Sequence, residues 1–162
     1  MKIYTDASTR VTKGISGLAF VMTDEKNNII QKKATIVDEQ DNNTAELRAI
    51  LYALSQVKST KEHITLFTDS SYAINAIRNN IYRQSEEKII QYIHKNLNRL
   101  NCNIFWIKGH CHDGTVLSYF NKMADKGAKK VRKQYEQQLI KDKKAKRKNI
   151  NITTIVNNKR GR

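Results

Sequence analysis

The chain has 162 residues, with 30 Lys+Arg against 15 Asp+Glu and a formal net charge of +15. That length fits one domain and can bury a core without disulfide or metal staples, and a 39% hydrophobic fraction that includes 7 Tyr, 4 Phe and 1 Trp excludes global disorder. No apolar run approaches the roughly 18 residues of a membrane-spanning helix, and two cysteines, Cys102 and Cys111, make no disulfide framework. The opening Met1-Lys2-Ile3-Tyr4-Thr5-Asp6 reads as a strand end rather than a secretory leader. A cytoplasmic, reducing compartment is therefore the expectation, and the positive charge points to a polyanion such as nucleic acid.

The spacing predicts strands over residues 1–7, 14–22 and 29–37, joined by short polar connections as an antiparallel meander. Leu47, Ile50, Leu51, Leu54 and Val57 then recur at helical spacing, giving a helix from about Thr44 to Val57. His63 to Thr68 reads as a buried strand. A short helix follows over 70–77, with Ser70 or Asp69 as its cap. Ile89, Ile90, Ile93, Leu97 and Leu100 mark a further helix, Asn103 to Ile107 a fifth strand, and a last helix starts near Tyr119 or Asn121. The order βββ-α-β-α-α-β-α defines an α/β domain with a five-stranded mixed sheet flanked by helices.

The charge is unevenly spread. Residues 126–162 hold 14 Lys+Arg against two acids, Glu136 and Asp142, whereas residues 1–125 hold 16 against 13. Such a block marks a basic arm.

Four acids stand at costly places. Asp6 and Asp69 each end an apolar strand, where a carboxylate needs a positive partner and where α/β sheets form ligand sites. Glu46 has Ala49, Ile50, Ala53 and Val57 at i+3, i+4, i+7 and i+11, so it borders the buried face of its helix. Asp125 lies early in the last helix. Singly, each has a bland reading: an N-cap for Asp69, a turn residue for Asp6, a helix-dipole partner for Glu46 and Asp125. If the first and fourth strands pair in parallel, Asp6 and Asp69 become neighbours. Clustered carboxylates are tolerated when hard divalent cations such as Mg²⁺ or Mn²⁺ neutralise them.

Five segments resemble the type 1 ribonuclease H family, in that family's order: Tyr4-Thr5-Asp6-Ala7-Ser8, Asn42-Asn43-Thr44-Ala45-Glu46-Leu47, Thr68-Asp69-Ser70-Ser71-Tyr72, Trp106-Ile107-Lys108-Gly109-His110 and Asn121-Lys122-Met123-Ala124-Asp125. The resemblance implies a ribonuclease H-like fold over residues 1–130, with 131–162 a basic extension that starts helical and then becomes a flexible arm. It implies endonucleolytic hydrolysis of the RNA strand of RNA·DNA hybrids, leaving 3′-hydroxyl and 5′-phosphate ends. By the same resemblance, Asp6, Glu46, Asp69 and Asp125 match four metal-binding acids for two Mg²⁺ ions, Mn²⁺ being the other candidate. His110 matches a histidine that assists proton traffic or product departure. Asn42, Asn43 and Ser71 match positions at the hybrid, Ser71 standing where Gln is common. Trp106 and Lys108 match a strand beside the DNA backbone, with a core role for Trp106 equally open. The implied partner is the hybrid, bound by a monomer away from any membrane.

The sequence also departs from the family pattern. Ala7 replaces a common Gly, the stretch from Asp69 to His110 lacks room for a basic protrusion, and the loop from His110 to Asn121 is long. The basic extension is expected to replace the protrusion as an electrostatic grip. Zinc is not expected at His110-Cys111-His112 with Cys102, which lacks a second ligand pair. The alternatives are a non-catalytic hybrid- or RNA-binding domain, against which four retained acids argue, and another nuclease of the same fold. Proofreading exonucleases carry an Asp-x-Glu pair on the first strand, absent at Asp6-Ala7-Ser8.

Overall fold

The computed structural model describes residues 1–58, 62–109 and 114–159, with side chains through residue 146. Strands β1 (Lys2–Arg10), β2 (Ile15–Thr23), β3 (Ile29–Asp38), β4 (Ile64–Thr68) and β5 (Cys102–Trp106) alternate with helices α1 (Asn42–Gln56), α2 (Ser71–Asn79), α3 (Glu87–Arg99) and α4 (Val116–Lys159) in the expected order. The sheet order is β3-β2-β1-β4-β5. β1, β2 and β3 pair antiparallel, and β4 pairs parallel with both β1 and β5. The α/β architecture and the mixed sheet are thus as the sequence predicts.

Alternation along β1 sends successive side chains to opposite faces. Ile3 joins the larger core with Leu47, Ile50 and Leu54 of α1, Ile77 of α2 and Ile93 of α3. Tyr4 faces the other way, into a smaller cluster with Phe120 and Ala124 of α4. Its ring lies 5.2 Å from those of both Phe67 and Phe120. Gly17 of β2 lets α4 approach closely, because a Cβ there would run into the Ala128 carbonyl. The chain divides into two compact units, Met1–Arg132 and Lys133–Arg162.

Several boundaries differ from expectation for readable reasons. β1 extends to Arg10 because its antiparallel partner β2 continues to Ile15, so Asp6 is mid-strand rather than at a strand end. Asp41 caps α1 by accepting from the Thr44 N–H at 2.8 Å, which starts that helix two residues early. Ser70, not Asp69, caps α2, accepting from the Ala73 N–H at 3.1 Å. The bland N-cap reading of Asp69 therefore falls away. α4 begins at Val116, with Thr115 Oγ1 accepting from the Ser118 N–H at 3.2 Å, so the preceding loop is shorter than the sequence suggested.

Candidate active site

The site forms where the parallel strands stop. The last β1–β4 pair is Thr5↔Thr68 and the last β4–β5 pair is Thr68↔Trp106. One residue further on, Asp6 stays on the continuing β1 while Asp69 leaves the sheet, which makes them neighbours at its carboxyl edge. Glu46 comes in from the first turns of α1. Asp6, Glu46 and Asp69 each offer an oxygen, all within 4.8 Å of one another.

Two of the three are buried, Asp6 and Glu46 at 6% exposure each. Burial first, then the charges of Asp69 and Asp125, push the Asp6 carboxyl up to about 8. The Ala7 N–H, 2.7 Å from Oδ1, and the Lys129 ammonium pull the other way without prevailing. Burial and the neighbouring Asp6 and Asp69 likewise hold Glu46 well above the ordinary carboxylate range. Glu46 Oε2 is buried and has no hydrogen-bond partner.

Asp69 is fixed from several directions. Asn121 of α4 is 4% exposed, and its Nδ2 donates to Asp69 Oδ2 at 3.0 Å. The Trp106 Nε1–H donates to the Asp69 carbonyl at 3.0 Å. Gly109 packs so tightly beside it that a Cβ would lie 2.5 Å from Asp69 Oδ2. None of these three holds was assigned from sequence. Asn121 lay in a quoted segment, four residues before Asp125 and so on the same helix face, which was the available signal.

Asp125 borders the same cleft from α4 but stands outside the three-carboxylate cluster, paired with Lys129 at 2.7 Å. Asn42, Asn43 and Ser71 also line the cleft. Trp106 is 51% exposed, which settles it as a surface residue rather than core. Lys108 is exposed just past β5. Neither borders the cleft. His110, with Cys111, His112 and Asp113, lies outside the described residues. Cys102 is buried in β5, and burial pushes its thiol up to about 12, which keeps it protonated and inert.

A second acidic group sits at the start of α1. Arg83 donates to Asp41 Oδ1 at 2.5 Å and to Glu86 Oε1 at 2.6 Å. Glu86, 1% exposed, also accepts from Thr44 Oγ1 at 2.8 Å and from the Tyr72 hydroxyl. Hydrogen bonding from Arg83 holds Asp41 far below its usual range. Burial opposes the Glu86 charge, yet its bonds from Arg83, Tyr72 and Thr44 outweigh burial and lower its pKa.

A mixed sheet gathers oxygen-only acids at its carboxyl edge, a donor set that could hold a hard divalent cation. The RNase H family model matches residues 1–133. A ribonuclease H from Ruthia magnifica subsp. Calyptogena magnifica is 33% identical over 128 residues, spanning 68% of this chain and 84% of that protein. The N-terminal RNase H domain of a Mycobacterium tuberculosis protein, solved as a fusion with maltose-binding protein, superposes with a TM-score of 0.70 at 16% identity, over 85% of this chain and 96% of that one. LC11-RNase H1 in complex with an RNA/DNA hybrid gives 0.66 at 22% identity, over 80% and 94%. RNase H1 of Halobacterium salinarum NRC-1 gives 0.68 at 16%, over 82% and 97%. The chain belongs to the RNase H family, a family of nucleases.

Proposed function

We propose that the chain hydrolyses the RNA strand of RNA·DNA hybrids endonucleolytically, leaving 3′-hydroxyl and 5′-phosphate ends. The observation that carries this reading is the convergence of Asp6, Glu46 and Asp69, two of them buried with raised proton affinity. Such a cluster is electrostatically costly in the absence of a cation. The donor set fits hard divalent ions, Mg²⁺ or Mn²⁺, since every ligand is oxygen and the buried Glu46 Oε2 lacks a partner. Asp6, Glu46 and Asp69 would hold such ions, with Asp125 completing the set from α4. When bound, two ions would make water nucleophilic near neutral pH and stabilise charge on the leaving oxygen.

The remaining roles belong to the chain itself. Asn121 and Trp106 keep Asp69 in place. Asn42, Asn43 and Ser71 present amides and a hydroxyl along the cleft, suited to 2′-hydroxyls and groove edges that distinguish RNA from DNA. Trp106 and Lys108 offer an exposed ring and a cation to the DNA backbone. His110 would move protons or speed product departure, tasks an imidazole side chain can perform. The hybrid is the substrate class supported by the LC11-RNase H1 complex. Asp69→Asn separates an enzyme from a mere hybrid binder. Cleavage should fall on the order of a thousandfold, the rate equivalent of several kcal/mol, with hybrid affinity kept; unchanged cleavage contradicts the reading.

The basic extension acts in this proposal as a grip on the hybrid backbone. The unit Lys133–Arg162 holds ten Lys+Arg against Glu136 and Asp142. Arg132 Nε donates to Ser8 Oγ at 3.1 Å and Val131 packs at Gly17, so a cut after Lys130 would damage the first unit. Removal of residues 141–162 should raise KM and flatten the salt dependence, with kcat at saturation nearly unchanged. An unaltered KM at low salt contradicts the grip.

A further inference from the structure

Asn121, Asp125 and Lys129 follow one another at i, i+4 and i+8 on one face of α4, the face that borders the acidic cleft. Two of them are partners to acids. Asn121 serves Asp69 with a neutral amide. Lys129 serves Asp125 with a full positive charge, its Nζ lying 2.7 Å from Oδ1 and 2.9 Å from Oδ2. Asp125 is 16% exposed and Lys129 46%, so the acid is fixed at the cleft wall while the lysine has solvent to retreat into.

The difference matters for any cation that Asp125 is to bind. Asp6, Glu46 and Asp69 present carboxylates with no basic side chain bonded to them among the described residues, and Glu46 Oε2 has no partner at all. At Asp125 both oxygens are already engaged by an ammonium. A hard divalent cation approaching either oxygen meets the charge and the hydrogen bonds of Nζ.

We infer that Lys129 is a displaceable counter-ion that competes with the divalent cation for Asp125. The inference rests on the proposed role of Asp125 in metal binding. Its consequence is that the two cation positions are unequal. The position built from Asp6, Glu46 and Asp69 fills first. The position that uses Asp125 fills at a higher concentration, set by the strength of the lysine pair. Neutralising Lys129 removes both the competing pair and the repulsion between two nearby cations.

Calorimetric binding of Mn²⁺ or Mg²⁺ to the full chain tests this without any cleavage assay. Lys129→Met should tighten the weaker binding step about threefold or more. Asp125→Asn should weaken or abolish that step, and Lys129→Met should tighten binding less on the Asp125→Asn background than on the wild type, because only the general repulsion is left to remove. Melting in EDTA confirms that each variant is folded, which the exposure of Lys129 favours. A wild-type isotherm for Lys129→Met beside a weakened Asp125→Asn overturns the inference alone. So does equal tightening on the Asp125→Asn background, which would make the lysine a distant charge rather than a competitor. A wild-type isotherm for Asp125→Asn overturns both the inference and the metal-binding role of Asp125.

Discussion

Two acidic groups of this molecule meet at the start of α1 and behave in opposite ways. Asp41 and Glu86, beside the start of α1, are bound by Arg83, Thr44 and Tyr72, and both are held in their charged forms. Asp6 and Glu46 face other acids, and both are pushed toward their neutral forms. Solvent exposure does not divide them, for Glu86 is no more exposed than Asp6 and Glu46. What divides them is the supply of donors: four bonds converge on Glu86, while Glu46 Oε2 has none. The first group completes its own electrostatics and holds the fold. The second leaves them incomplete, which is the condition for binding a cation from outside.

Changes at the second group should cost function while sparing the fold, and the reverse should hold at the first. The largest effect short of removing a ligand is expected at Gly109. In Gly109→Ala the new Cβ would press on Asp69 Oδ2, and hybrid cleavage should fall about 10–100-fold, as for other residues that orient metal ligands. Its melting temperature in EDTA should stay near wild type. Full activity would show that Asp69 can shift without consequence.

Glu86→Ala strips Arg83, Tyr72 and Thr44 of a buried acceptor. It should destabilise the fold by about 2 kcal/mol, a fall of roughly 4–8 °C in melting temperature for a chain of this size, with kcat on the hybrid kept. Loss of kcat with unchanged melting would invert the comparison.

The smallest effect is in pH dependence, and its sign differs between the groups. A carboxyl whose pKa is lowered by folding contributes stability above its unfolded value and loses it as pH falls. Asp41 and Glu86 should therefore make the fold weaken on acidification below about pH 4. A carboxyl whose pKa is raised by folding costs stability once pH exceeds its unfolded value, and the cost levels off above its folded value. For Asp6 that window runs from the ordinary carboxylate range up to about 8. In EDTA, Asp6→Asn should be more stable than wild type by about 1 kcal/mol or more at pH 9, with the gain vanishing near pH 4. A pH-independent difference would show that Asp6 is not strained by its neighbours.

The acids of the second group were legible because each contradicts its own surroundings. Asp6 and Asp69 each follow a run of apolar strand residues, and Glu46 stands on a face with Ala49, Ile50, Ala53 and Val57. The order of strands and helices along the chain followed from period and length. The extension of β1 past Asp6 was not legible, because it depends on how far β2 accompanies it. Nor was the first group: Arg83, Glu86 and Asp41 look like ordinary solvated charges until folding brings residues 42 positions apart into contact. The Trp106 bond to the Asp69 carbonyl was equally hidden, since a strand-end Trp reads as core or surface with equal ease. Local conflict can be read from a sequence; long-range satisfaction cannot.

In the proposed function, the unsatisfied acids make this chain a divalent-dependent nuclease for hybrids. The most direct measurement offers the full chain RNA·DNA hybrid, double-stranded RNA and double-stranded DNA, with Mg²⁺ or Mn²⁺ and with EDTA. Cleavage confined to the RNA strand of the hybrid, abolished by EDTA and by Asp69→Asn, is the predicted result. Strong cleavage of double-stranded DNA with the hybrid left intact would contradict it.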